Sequence, residues 1–129
     1  RVDTSREVRV RFVASNNASM PWEFKPTKDS VVVHPGEPTE ITYFAHNITD
    51  EDMVSQAIPS LVPNNVADYF HKTECFCFEN QPLAAGEQAD LKLIFIIDPD
   101  LPEGVNSVTL SYTIFDITDR MANPIAQLQ

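Results

Sequence analysis

Cys75 and Cys77 are the residues of this sequence with the clearest capacity for chemistry. They are its only two cysteines, and one residue, Phe76, separates them. The stretch Lys72–Glu79 has the character of a β-strand, in which residues two positions apart point to the same face. This predicts that the two thiols share one face, while Phe76 and Phe78 share the other and anchor the strand in the core. The thiols are then expected to point away from the core.

The same spacing favours a metal site over a disulfide. Cα atoms two residues apart on a strand are separated by about 6.6 Å, close to the upper limit of about 6.8 Å for a disulfide, so a Cys75–Cys77 disulfide would be strained and easily reduced. Two sulfurs bound to one ion lie about 4–5 Å apart, which small rotamer changes reach. Two thiolates favour copper(I) over zinc, which usually takes four ligands. The alternative is a pair of buried structural cysteines, because free cysteine is among the most buried residue types.

Few other side chains could complete a copper site. His71 precedes Cys75 by four residues and lies on the same face if the strand is continuous; an exposed structural histidine is the alternative. Methionine thioethers are also possible copper ligands, although core or surface roles suit each of them better. The methionines are Met20, Met53 and Met121. We find no phosphate-binding loop and no Ser-His-Asp arrangement, which predicts that the protein is not an enzyme.

Short strands must position the two thiols. Alternating or apolar stretches predict the main strands at Glu7–Val13, Val31–Val33, Glu40–His46, Leu91–Ile97 and Ser107–Ile117. Frequent proline-bounded turns and the lack of a convincing helix indicate an all-β fold, a β-sandwich of about seven strands. We predict one domain over residues 1–118. Residues 119–129 have no period and end in polar side chains, which predicts a disordered tail.

Composition excludes several classes of ligand. The 129 residues carry a net charge of −10, which argues against nucleic acid or an anionic membrane surface as a direct partner. A hydrophobic fraction of 43% is enough for a real core. No stretch approaches the run of about 18 apolar residues that a transmembrane helix requires.

Several stretches, in order along the chain, resemble the CtaG family of copper chaperones that assemble cytochrome c oxidase. At the thiols the matching stretch is Cys75-Phe76-Cys77-Phe78-Glu79. The other matching stretches are Met20–Pro26, Val33–Glu37, Tyr69–Lys72, Gln81–Leu83, Gly86-Glu87, Ile97–Pro99 and Thr109–Thr113. The resemblance covers the chain from Val8 to Phe115, which is most of its length.

This resemblance implies a fold and a function. The fold is an immunoglobulin-like sandwich that binds copper(I) through Cys75 and Cys77. The implied partners are an upstream copper donor protein, the CuB centre of cytochrome c oxidase subunit I as acceptor, and a second copy in a copper-dependent homodimer. The resemblance also implies a single-pass membrane anchor before this segment. The domain is then expected on the periplasmic face of the bacterial inner membrane or in the mitochondrial intermembrane space.

Two other functions stay open on the residues alone. A thiol–disulfide redox module would use an accessible Cys75–Cys77 disulfide, although redox motifs usually separate their cysteines by two residues. A sandwich domain for protein interaction would carry inert cysteines, but Phe76 and Phe78 are expected to take the core face and leave the thiols outside.

Overall fold

The structure is a computed structural model that describes residues 1–122, and for residues 121 and 122 it describes only the backbone. Nine β-strands make up most of it. The strands are β1 (Val8–Asn16), β2 (Glu23–Pro26), β3 (Ser30–Val33), β4 (Thr39–His46), β5 (Met53–Val62), β6 (Phe70–Cys75), β7 (Gln81–Leu83), β8 (Gln88–Ile97) and β9 (Ser107–Asp116). Two 3-10 helices flank β6, at Asn64–Tyr69 and Phe76–Phe78. A short helix, α1, covers Thr118–Ala122.

The strands form two sheets. The first has the order β3-β1-β9-β5-β7 and the second the order β2-β4-β8-β6. β1 and β9 pair in parallel, and the other pairs are antiparallel. Strand β6, which carries the first cysteine, is therefore an edge strand of the second sheet, whereas β9 is central in the first.

The core lies between the two sheets. In β1, Val8, Val10 and Phe12 are buried while Arg9 and Arg11 are exposed, as the alternation in the sequence predicts. The Phe12 ring reaches the opposite sheet, with its centroid 6.4 Å from the Tyr43 ring and 6.0 Å from the Phe95 ring. Burial of apolar side chains from both inner faces is the main term that holds such a sandwich together.

The predicted all-β sandwich is confirmed. The described residues contain nine strands where about seven were predicted. The three-residue strand β7 is among those that were not predicted. Residues 53–68, the least regular part of the sequence, contain the ten-residue strand β5. Pro59 is tolerated within it because β7 pairs only with Met53–Ser55, which leaves one side of β5 at Pro59 without a neighbouring strand.

Helical segments are short. Where no helix was predicted, the described part of the chain holds the two 3-10 helices and α1, none longer than six residues. No helix within residues 1–122 has the length and hydropathy needed to cross a bilayer. Residues 119–122 of the predicted tail belong to α1, and the prediction of disorder for residues 123–129 lies outside the described residues.

Candidate metal centre

A β-bulge in β6 determines which way Cys75 points. Lys72 and Glu74 pair with two adjacent residues of β8, so Thr73 is an extra residue in the strand. An extra residue shifts the in–out alternation by one position for everything that follows. Phe70 before the bulge and Cys75 after it both face the core, and Cys75 is only 6% exposed.

The chain leaves the sheet at Cys75 and turns. Residues Phe76–Phe78 form a 3-10 helix, and the Cys75 sulfur accepts a hydrogen bond from the backbone N–H of Cys77 at 3.0 Å. Because a 3-10 helix rises less per residue than a strand, the two cysteine Cα atoms are 5.0 Å apart. That separation lies inside the disulfide range of about 4.4–6.8 Å. A Cys75–Cys77 disulfide is present in this structure.

The predicted facing of the motif is therefore wrong at three residues. Cys75 is buried and Cys77 half-buried, where both were expected to point away from the core. Phe76 packs into the core as predicted, but Phe78 is 61% exposed. The inward direction of Cys75 follows from the extra residue Thr73. After Cys75 the strand ends, so Cys77 and Phe78 no longer follow a period of two. The expectation that this spacing disfavours a disulfide is also wrong, because the turn brings the two cysteine Cα atoms to 5.0 Å from each other.

Tyr112 of strand β9 reaches both sulfurs from the opposite sheet. Its hydroxyl oxygen lies 3.0 Å from Cys75 Sγ and 3.4 Å from Cys77 Sγ. Sulfurs joined in a disulfide carry no proton, so the hydroxyl is the donor in both contacts. Burial raises the pKa of Tyr112 above its ordinary value. The hydroxyl therefore keeps its proton, and its capacity to donate, at neutral pH.

Phe76 fixes the turn between the two cysteines. Its ring centroid lies 4.9 Å from that of Tyr112, 5.4 Å from that of Tyr43 and 6.3 Å from that of Phe24. These rings come from both sheets, so the turn is attached to the whole sandwich and not only to β6. Aromatic contacts of this kind add stability beyond the area that they bury.

An open cleft of about 290 Å³ lies beside the turn. Its lining includes Cys75, the exposed Phe78 and two carboxylates, Glu74 and Glu79. Glu74 also pairs with Lys92, with 3.5 Å between the charged atoms. The negative charge around the cleft favours the approach of a cation over that of an anion.

Among the other possible copper ligands, His71 does not lie with the cysteines. His71 precedes the bulge and is exposed on the outer face, where its Nε2 lies 3.0 Å from Asp98 Oδ2. Met20 and Met53 are buried in the core, and the side chain of Met121 lies outside the described residues. In the part of the chain that the structure describes, no three His, Cys, Asp or Glu side chains form a metal-binding group. A copper site here would rest on the two cysteines.

Comparison with known families gives a match over most of the chain. Residues 1–116 match the family model described as cytochrome c oxidase assembly protein CtaG/Cox11. The chain belongs to the CtaG/Cox11 family. The family resemblance seen in the sequence is thereby confirmed.

Relatives in the CtaG/Cox11 family include mitochondrial and bacterial proteins. The mitochondrial cytochrome c oxidase assembly protein COX11 of Saccharomyces cerevisiae is 40% identical over 119 residues, which are 88% of this chain and 40% of the relative. The cytochrome c oxidase assembly protein CtaG of Brucella ovis is 38% identical over 117 residues, or 87% of this chain and 58% of the relative. The mitochondrial COX11 of Dictyostelium discoideum is 38% identical over 118 residues, which are 88% of this chain and 38% of the relative. The chain thus spans 38–58% of the length of these relatives.

The part that Tyr112 takes in the site of this CtaG/Cox11 domain was not predicted from the sequence. Tyr112 lies in the predicted strand Ser107–Ile117, and the sequence did not single it out as part of the site. The available signal was its hydroxyl, because a buried tyrosine usually finds a hydrogen-bond partner. Identifying the two sulfurs as that partner required the packing of the two sheets.

Proposed function

We propose that this domain is a non-enzymatic copper(I) chaperone that carries the ion on Cys75 and Cys77 during assembly of cytochrome c oxidase. The observation that carries the proposal is the placement of two sulfurs on one short turn, with Cα atoms 5.0 Å apart, at the edge of a sandwich. Membership of a family whose relatives are named cytochrome c oxidase assembly proteins supports the role in assembly. Copper is the cargo in this proposal, not a resident cofactor.

Copper loading requires reduction of the disulfide. A thiolate of a thiol reductant attacks one cysteine sulfur and breaks the Cys75–Cys77 bond, which gives a mixed disulfide. A second reductant thiol releases the protein thiol and leaves as the oxidised reductant, so the two electrons come from the reductant. Loss of the thiol protons then gives two thiolates, which are the form that binds metal.

Two thiolates suit the capture and release of copper(I). Copper(I) is a soft ion that prefers thiolate and thioether ligands. With only two protein ligands the ion keeps positions open, so a ligand of a partner can bind before the cysteine sulfurs leave. Stepwise exchange of this kind lets the ion pass on without being free in solution. A site with four protein ligands would retain the ion instead.

The proposal extends to partners and location. It gives the CuB centre of subunit I as acceptor, a separate protein as copper donor, and a homodimer linked by copper. The half-buried Cys77 and exposed Phe78 support access by a partner, because they place one side of the turn at the surface. The proposed location is the periplasmic face of the bacterial inner membrane or the mitochondrial intermembrane space, with a membrane anchor outside this segment. The mitochondrial and bacterial relatives support it.

Metal analysis of the reduced protein tests the copper proposal. The protein is reduced without oxygen, freed of reductant, mixed with copper(I) or zinc, desalted and analysed for both metals. We expect copper to be retained in proportion to protein, and zinc to be lost. The oxidised protein serves as the matched control and should retain neither metal. Loss of copper from the reduced protein on desalting would refute the proposal.

The disulfide favours a second candidate, a thiol–disulfide redox module. Such a module would exchange disulfides with other proteins and would need no metal. Refolding of a scrambled disulfide protein, with and without this domain, separates the two functions. Acceleration by the wild-type protein, lost in Cys77→Ser, would favour the redox module. An unchanged refolding rate would favour copper transport.

A further inference from the structure

We propose that Tyr112 is a positioning residue for copper(I), because its single hydroxyl donates to both cysteine sulfurs and directs them to one point. This inference rests on the proposed copper function and adds a specific residue to it. Tyr112 would not bind the ion itself. It would hold the two sulfurs close enough together for one ion to bind both.

The position of the Tyr112 hydroxyl is fixed by its strand and its neighbours. β9 lies between β1 and β5, where Tyr112 pairs with Ala14 on one side and Pro59 on the other. The residue is 0% exposed. Its ring packs against Phe76 at 4.9 Å and Tyr43 at 5.3 Å, centroid to centroid. A side chain held in this way offers its hydroxyl at a defined place without further loss of rotamer freedom.

The two sulfurs share this donor. The distances from the hydroxyl oxygen are 3.0 Å to Cys75 Sγ and 3.4 Å to Cys77 Sγ. One hydroxyl group therefore serves both sulfurs. Reduction of the disulfide leaves both cysteines on the same short turn, so the shared donor continues to favour rotamers that aim both sulfurs at it.

The hydrogen bonds gain strength when the sulfurs become thiolates. Bonds to charged acceptors are about twice as strong as bonds between neutral groups. Residues that orient metal ligands through hydrogen bonds typically change metal affinity by about 10–100-fold when they are replaced. Loss of the Tyr112 hydroxyl should therefore weaken copper(I) binding by an amount in this range.

Tyr43 provides a matched control. It belongs to the same aromatic cluster and is equally buried, but its hydroxyl donates to the backbone oxygen of Val13 at 3.3 Å. Tyr43→Phe thus removes the same group from the same environment without touching either sulfur. A general loosening of the cluster would affect Tyr43→Phe and Tyr112→Phe alike, whereas a positioning role affects only Tyr112→Phe.

The experiment compares wild type, Tyr112→Phe and Tyr43→Phe, all reduced, in competition with a copper(I) chelator. We expect Tyr112→Phe to lower copper(I) affinity by about 10-fold or more, which corresponds to about 1.4 kcal/mol. We also expect its sulfur-to-copper charge-transfer absorption to shift, because the sulfurs lose a donor. Tyr43→Phe should keep the wild-type affinity and spectrum. Denaturant unfolding verifies that each variant is folded.

The possible results separate this inference from the copper function. If wild type binds no copper(I), both fail. If wild type binds and Tyr112→Phe matches it in affinity and spectrum, only the inference is overturned. Equal losses in the two variants also overturn it. Should Tyr112→Phe not fold, a ring-fluorinated tyrosine at position 112 keeps the shape of the side chain and makes its hydroxyl a stronger donor. A shift of the sulfur-to-copper charge-transfer absorption in this protein would support the inference. An unchanged absorption would overturn it.

Discussion

The ring of Phe76 packs against the ring of Tyr112 across the sandwich, with 4.9 Å between their centroids. This contact joins the turn that carries the cysteines to the centre of the opposite sheet. Phe78, two residues along the same turn, is 61% exposed and lines the neighbouring cleft. The two phenylalanines around Cys77 therefore have different roles, one in stability and one at the surface.

Replacing these two phenylalanines should have unequal effects on stability. Phe76→Ala should lower the free energy of unfolding by about 3 kcal/mol, the low end of the range for a core aromatic because Phe76 is half-buried. Phe78→Ala should lower it by less than about 0.5 kcal/mol, as for most surface substitutions. Denaturant unfolding of the oxidised protein measures both. Equal losses would show that the turn is packed differently from this structure.

Stability should fall in alkaline solution because of two buried tyrosines. Burial raises the pKa of Tyr43 and Tyr112 above 10.0, and for Tyr43 the neighbouring Tyr112 adds to the effect. Below pH 10.0, the ordinary pKa of tyrosine, both residues are protonated in the folded and the unfolded chain. Above it only the unfolded chain releases these protons, so unfolding becomes easier by up to about 1.4 kcal/mol per pH unit for each tyrosine.

Unfolding of the oxidised protein between neutral and strongly alkaline pH measures this effect. The matched control is the double variant Tyr43→Phe, Tyr112→Phe, whose unfolding free energy should fall less steeply above pH 10.0, the ordinary pKa of tyrosine. Parallel pH dependences for wild type and double variant would contradict the assignment to these tyrosines.

The oligomeric state should change with copper. The net charge of −10 opposes self-association, so the protein without metal should be a monomer. Thiolates can bridge copper(I) ions, and a second chain that brings the same cysteine pair would complete a shared site about a twofold axis. We expect a dimer with copper(I) that a chelator reverses, measured by sedimentation of the reduced protein. Equal mass with and without copper would refute the bridged dimer.

Replacement of His71 should leave copper(I) binding unchanged. The histidine is on the outer face beside Asp98, whereas Cys75 faces the core. His71→Ala should therefore match wild type in chelator competition, and Asp98→Ala serves as the control that leaves the imidazole in place. A weaker affinity in His71→Ala alone would identify the histidine as a third ligand.

The sequence predicts the strands of the domain better than the direction in which its cysteine side chains point. Alternation in β1 and in β9 marks the core faces directly, because long paired strands keep their period. At the cysteines the period is interrupted twice, by the extra residue Thr73 and by the turn at Phe76–Phe78. The bulge depends on how β6 pairs with β8, which the residues around Cys75 do not specify locally.

Family resemblance led to the proposed chemistry where periodicity failed. Residue type and spacing made Cys75 and Cys77 the candidate site, and the family match is confirmed. The contact with Tyr112 could not be predicted, because Tyr112 lies 35 positions after Cys77 and its strand β9 belongs to the sheet opposite β6. Only the packing of the two layers brings this hydroxyl to the sulfurs.

Chelator competition for copper(I) in reduced wild type, Cys75→Ser and Cys77→Ser tests whether the two cysteines form the copper site. Keeping all three proteins reduced removes the disulfide from the comparison, and denaturant unfolding under the same conditions verifies the fold. We expect wild type to hold copper(I) against the chelator and each folded serine variant to lose it. Copper(I) held as tightly by either serine variant as by wild type would contradict the two-cysteine site. Unfolding of both serine variants would instead indicate structural cysteines.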